Sequence, residues 1–290
     1  MENSKNDFEF YMSAYMYELE DKLNNNSEKI NSVHFQFDEA NTDKELKRFL
    51  KNFILEEKRT IETIDCVDEK KVKHSIIKNS FYIDDVLTPD DYSNEVKEEI
   101  KKAKANCVYV NPDLIFKISI GGEKLTEYIE LKSTKLDRIP GSSIQQISPN
   151  EWVIFVKHSD SGIEVITGQY KNTISGTMQF PDRSPRPQVS YVQLKDWIQK
   201  YRIVTTNTLV LGEDILADEK LKLLGDWQQY LSDRWMNILK LKKKDKEPWF
   251  NNNLRKFSKE LLEYYDSLSD DEKEKFKELI ANNIEGEKDE

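Results

Sequence analysis

Residues 108–135 read VYVNPDLIFKISIGGEKLTEYIELKSTK, and this stretch decides the fold. On both sides of Gly121-Gly122 apolar and polar residues alternate with the period of two that a half-buried strand requires. A Gly-Gly pair between two such runs predicts a two-residue hairpin turn, whose central residues need positive φ. With that loop length Ile120 opposes Glu123, and counting back along both strands Asp113 opposes Glu130. Opposed residues of an antiparallel pair hold their Cβ atoms about 4.5–5.5 Å apart on one face, close enough for two carboxylates to share a cation. Glu130 and Lys132 share a face, while Ile129 and Leu131 turn to the other. On the first strand Leu114, Phe116, Ile118 and Ile120 likewise face away from Asp113.

Two carboxylates and an ammonium grouped this way suit metal-assisted attack of water on a phosphodiester. Pro112-Asp113 followed by Glu130-Leu131-Lys132 resembles the catalytic signature of the PD-(D/E)-x-K nuclease superfamily at all four signature positions. The resemblance implies that Asp113 and Glu130 ligand a divalent metal, expected to be Mg2+. It implies that Lys132 orients or helps deprotonate the attacking water and counters charge in the transition state. The implied fold class is α/β (α+β), a restriction-endonuclease-like core with a mixed central sheet flanked by helices, plus helical additions at both termini. Its order of helix, three strands, helix, strand is similar to a lysine-rich helix over 94–105, the hairpin, a short helix over 142–147 and a strand over 152–157. The plainer reading of the three residues is a solvated cross-strand ion cluster on an exposed hairpin.

Outward from the hairpin, the apolar period becomes helical. Phe8, Tyr11, Met12, Tyr15, Leu19 and Leu23 predict a helix over 8–23, and Leu46, Phe49, Leu50, Phe53 and Ile54 a second over 43–57, capped by Thr42 or Asp43. Residues 61–91 read as mixed, ending in a Pro89-Asp90-Asp91 turn. Further strands are expected over 108–110, 152–157 and 162–167. Helices are expected over 194–201, 215–241, 253–265 and 271–282, the last behind a Ser269/Glu272 capping box. The organisation this predicts is an amino-terminal helical region 1–92, a catalytic core 93–204 and a carboxy-terminal helical region 205–290.

Charge limits the partners. The chain of 290 residues carries a formal net charge of -10, so any nucleic-acid surface must be local. Residues 111–202 hold twelve Lys/Arg against ten Asp/Glu, two of the acids being Asp113 and Glu130, which a cation would neutralise. Two cysteines, Cys66 and Cys107, make no disulfide framework or metal spacing, and no run of eighteen apolar residues occurs. A cytoplasmic protein with no membrane association is expected. His34, His74 and His158 show no ligand spacing.

Around the signature, Lys135, Arg138, Ser142, Ser143, Gln145 and Gln146 offer cations, hydroxyls and amides to phosphates and base edges. Arg183, Arg186 and Gln188 lie on a proline-stiffened loop from which arginines can fork onto guanine. Glu95, Glu98 and Glu99 on the lysine-rich helix either project toward the metal or pair with Lys101, Lys102 and Lys104. The lysine run 240–246 reads as a solvated helix face. No P-loop occurs, so an ATP-driven nuclease is not indicated. The expected activity is that of a type II site-specific deoxyribonuclease acting on double-stranded DNA as a homodimer, with a cognate DNA methyltransferase as functional partner. The alternatives are a structure-specific repair or recombination nuclease of the same superfamily, and an inactive DNA-binding or interaction module.

Overall fold

The computed structural model describes residues 2–31, 33, 39–57, 63–67, 73–77, 81–103, 112–141, 148–159, 162–174, 187–205, 208–212, 214–240 and 248–285. The chain divides into two compact units, residues 1–181 with 185–227, and residues 182–184 with 228–290.

The hairpin forms as its sequence dictates. Strands β4 (Leu114–Ile120) and β5 (Glu123–Thr134) pair antiparallel, with Ile120 opposite Glu123 and Leu114 opposite Ile129. Gly121 and Gly122 turn the chain at φ 55° and 91°, values that any side chain would resist. Strand β3 (Phe81–Leu87) runs antiparallel to the outer edge of β4. On the other side β5 pairs in parallel with β7 (Trp152–Ser159), which pairs antiparallel with β8 (Gly162–Gln169). The result is a mixed five-stranded sheet in the order β3-β4-β5-β7-β8.

Both faces of this sheet are covered. On one, Leu114, Phe116 and Ile118 of β4 and Ile129 of β5 are fully buried against α1 (Glu2–Asn25) and α3 (Glu39–Glu56), which contribute Met12, Met16, Leu46 and Leu50. On the other, Ile115 packs with Tyr92 and with Ile100 of α4 (Asn94–Ala103). Further along that face, Val153 and Phe155 pack on Tyr191 and Leu194 of α5 (Tyr191–Tyr201). The hairpin is thus a central element of the sheet, and Asp113 lies at its open end, away from the Gly121-Gly122 turn.

Residues 61–91, which read as mixed, contain three strands: β1 (Thr63–Val67), β2 (Lys73–Ile77) and β3. The alternation in β3 is hidden by a register shift between Ile83 and Asp85, a bulge that breaks the period of two. The carboxy-terminal region is also not wholly helical. Strands β10 (Arg202–Thr205) and β11 (Thr208–Leu211) form a second sheet in the order β10-β11-β1-β2, with β11 parallel to β1. Four-residue strands are too short for periodicity to reveal. The second helix starts at Glu39, ahead of the expected Thr42 or Asp43 cap.

The expected helix over 215–241 is two, α6 (Ala217–Gly225) and α7 (Trp227–Lys240), and the second unit continues as α8 (Pro248–Ser267) and α9 (Asp270–Glu285). Glu272 accepts from the Ser269 N–H, the half of the capping box its carboxylate supplies, and from the Ser269 hydroxyl as well. Among the described residues, no helix is long and apolar enough to cross a membrane. The expected strand over 108–110 and helix over 142–147 lie outside the described residues.

Candidate active site

Asp113 sits at the bend one residue before β4, immediately beyond the last pair of the β4–β5 ladder. Past that point the ladder gives the Leu131 N–H no partner on β4, and Asp113 supplies one: its Oδ2 accepts from Leu131 N at 2.8 Å. Leu131 lies between Glu130 and Lys132, so this bond holds the first carboxylate beside the other two side chains. The preceding residue is fixed as well, by the Tyr92 hydroxyl donating to the Pro112 carbonyl at 2.7 Å in a buried setting.

Four charges meet here. Lys132 Nζ lies 2.5 Å from Glu130 Oε1, and Lys47 of α3 lies 2.6 Å from Asp113 Oδ1. All four side chains are at most one-fifth exposed, which sets the cluster apart from a solvated surface pair. Burial raises the Asp113 carboxyl above its ordinary range, and the negative charge of Glu130 raises it further; Lys47 and the Leu131 N–H oppose this without overcoming it. The two carboxylates are therefore close enough to repel each other.

A divalent cation would relieve that repulsion. Mg2+ is bound through one or two carboxylates, with waters and phosphate oxygens completing its shell, and Asp113 and Glu130 are such a pair. Among the described residues no group of three or more His, Cys, Asp or Glu side chains is arranged to hold a metal ion, so the protein would offer two ligands here. The all-oxygen pair, with no histidine or cysteine beside it among the described residues, suits Mg2+ better than zinc.

The other sequence candidates are distributed as follows. Glu98 pairs with Lys101 on its own helix, as helical spacing suggests, whereas Glu99 reaches Lys117 of β4 at 3.0 Å. Glu95 accepts from Ser93 at the start of α4. Lys135 is exposed just after β5. Arg138 and Gln188 are exposed on a two-stranded ribbon of β6 (Arg138–Pro140) and β9 (Gln188–Ser190), where Arg138 opposes Ser190 and Gln188 opposes Pro140. Ser142, Ser143, Gln145, Gln146, Arg183 and Arg186 lie outside the described residues. Their flanks nevertheless adjoin, because Gly141 N–H donates to the Pro187 carbonyl at 2.6 Å. Any Cβ at Gly141 would lie 2.6 Å from that oxygen and 2.3 Å from the Tyr170 hydroxyl, so this close approach requires glycine.

Two residues of the site escaped the sequence reading. Lys47 was one basic residue on the polar face of a helix whose apolar face alone was legible. Tyr92 followed a turn and showed no periodic pattern. No protein-family model and no curated protein matches the chain, so the arrangement of Asp113, Glu130, Lys132 and Lys47 is itself the ground for assigning a function.

Proposed function

We propose that the chain is a Mg2+-dependent endonuclease that hydrolyses phosphodiester bonds of double-stranded DNA at a specific sequence, a type II restriction enzyme with a PD-(D/E)-x-K core. One observation carries the reading: Asp113 is hydrogen-bonded to the backbone between Glu130 and Lys132, which gathers the signature side chains at one end of a central hairpin. The mixed five-stranded sheet flanked by helices is compatible with it, with β7 parallel to β5, although α4 falls between β3 and β4 where the expected order put the lysine-rich helix ahead of three consecutive strands.

In this reading Asp113 and Glu130 hold the metal, which when bound polarises a phosphoryl oxygen and acidifies its water. Lys132, already against Glu130, orients the attacking water and offsets the negative charge that builds on the phosphorus oxygens. The Leu131 N–H and the Tyr92 hydroxyl keep Asp113 in place without touching substrate. Lys135, Arg138, Ser142, Ser143, Gln145, Gln146, Arg183, Arg186 and Gln188 are the proposed DNA contacts. A palindromic target calls for two copies about a two-fold axis, so the proposed working form is a homodimer, with a cytoplasmic location and a methyltransferase protecting the same sequence.

The test incubates purified protein and Mg2+ with a mixed-sequence plasmid, beside Asp113→Ala and Lys132→Ala. Discrete fragments from wild type and none from either variant are expected. Absence of cutting by wild type, or equal cutting by both variants, refutes the assignment; structure-dependent nicking would favour a repair nuclease. A second reading has its own observation, since each carboxylate already has a lysine partner. The four side chains would then be a structural clamp, and both variants would lose stability with no DNA-cutting phenotype to lose.

A further inference from the structure

The polar face of α3 is basic. Lys44, Lys47, Arg48 and Lys51 recur at spacings of three and four, on the side opposite the buried Leu46, Leu50, Phe53 and Ile54. These four cations line a cleft of about 740 Å³ whose opposite wall is the turn bearing Asp90 and Asp91. Four positive groups outnumber two negative ones in a chain whose formal net charge is -10, so the cleft is a local reversal of sign. It also connects to the site: Lys47 both lines the cleft and lies 2.6 Å from Asp113.

We infer that this face of α3 is the track for the DNA backbone on its way to the carboxylates, formed by residues other than Lys135, Arg138 and Gln188. The inference rests on the nuclease reading of Asp113, Glu130 and Lys132. From Lys44 to Lys51 the helix advances about 10 Å, which matches roughly three phosphates of one strand at about 3.4 Å each along the duplex axis. The cations are not equally available. Lys51 is held 2.8 Å from Asp91, which also accepts from the Thr88 N–H and hydroxyl in a capping box. Lys44 pairs with Asp90, but both side chains are 68% exposed, so water screens that pair and little is lost when the lysine turns to a phosphate. Arg48 is exposed and makes no ion pair among the described residues. Lys44 and Arg48 are accordingly the backbone contacts, and Lys47 is where the track meets the site.

The experiment measures binding of the full chain to a fluorescein-labelled duplex by anisotropy across a salt series without divalent metal, and plasmid cleavage with Mg2+. Wild type is compared with the double variant Lys44→Ala/Arg48→Ala, and with Lys256→Ala on exposed α8 as control. The double variant is expected to melt as wild type does, to bind several unrelated duplexes more weakly by a similar factor, and to lower the slope of log affinity against log salt by about 1.8, two contacts at about 0.9 each. Cleavage by wild type together with an unchanged slope in the double variant overturns the track and leaves the nuclease reading standing. Binding with the expected slope change but no cleavage by wild type supports the track and overturns the nuclease reading. Absence of both binding and cleavage in wild type overturns both.

Discussion

Removing one hydroxyl tests how the site is held. Tyr92 is 8% exposed and its OH donates at 2.7 Å to the carbonyl of buried Pro112, the residue before Asp113. Tyr92→Phe keeps the ring packed on Ile100 and Ile115 and deletes only the donor. A neutral hydrogen bond contributes about 1 kcal/mol, and a buried acceptor left unsatisfied costs up to about 3 kcal/mol. In a unit of more than 200 residues each kcal/mol lowers Tm by about 2–4 °C, so a drop of roughly 2–12 °C is expected. The catalytic effect should be larger, because displacement of a reacting group by about 1 Å costs on the order of a hundredfold in rate. Thermal unfolding gives the first quantity and single-turnover plasmid cleavage the second, with duplex affinity in the absence of metal as the comparison. The expected outcome is a modest stability loss, a cleavage rate lower by tenfold or more, and unchanged affinity. A variant that melts earlier yet cleaves at the wild-type rate would refute the claim that Tyr92 positions Asp113.

Three further outcomes are expected. Gly122→Val should cost about 1–2 kcal/mol by urea melts, because φ is 91° there while the space around a Cβ is open; Gly121→Asn, at φ 55°, should cost less. Glu127 has its carboxyl raised to about 7 by burial and then by Glu151 and Glu9. The folded state therefore keeps a proton that the unfolded chain releases, and stability falls as pH climbs from about 4.5 to 7, by up to about 3 kcal/mol; melts of Glu127→Gln should lack that decline. Asp113→Asn should abolish cleavage while holding or raising stability at neutral pH, as urea melts and plasmid assays will show.

The hairpin and its register were legible because three local signals agree: alternation on both strands, a Gly-Gly turn, and apolar residues on the face away from Asp113. The helices α1, α3 and α9 were legible from their apolar spacing, although α1 starts six residues and α3 four residues ahead of the first expected position. Strand β3 was not, since two consecutive aspartates at a bulge erase its alternation. Burial of Ile115 beneath Tyr92 and Ile100 was not either, because a period of two says which residues share a face and nothing about what covers that face. The same limit hid Lys47. Its pairing with Asp113 joins residues 66 positions apart, and only the packing of α3 against the sheet creates it.

The fold alone does not account for an aspartate at position 113. Beyond the end of the β4–β5 ladder the Leu131 N–H needs an acceptor, and the side-chain amide oxygen of asparagine would serve as well as a carboxylate. Asparagine would also spare the chain the burial of a charge and the repulsion from Glu130 that together raise the Asp113 carboxyl. Lys47 offsets part of that cost, but the carboxyl still lies above its ordinary range, so the pair leaves a net destabilisation that structure does not require. A raised carboxyl favours the protonated folded form: the cost is absent below the ordinary carboxylate range and grows as pH rises through the folded value. That is why Asp113→Asn should gain stability relative to wild type at neutral pH and lose the advantage in acid. A pair of acids held at a cost that folding does not require is the physical reason for proposing the metal reading over the structural clamp. If Asp113→Asn instead unfolds as readily as Asp113→Ala across the pH range, the charge is structural and the preference reverses.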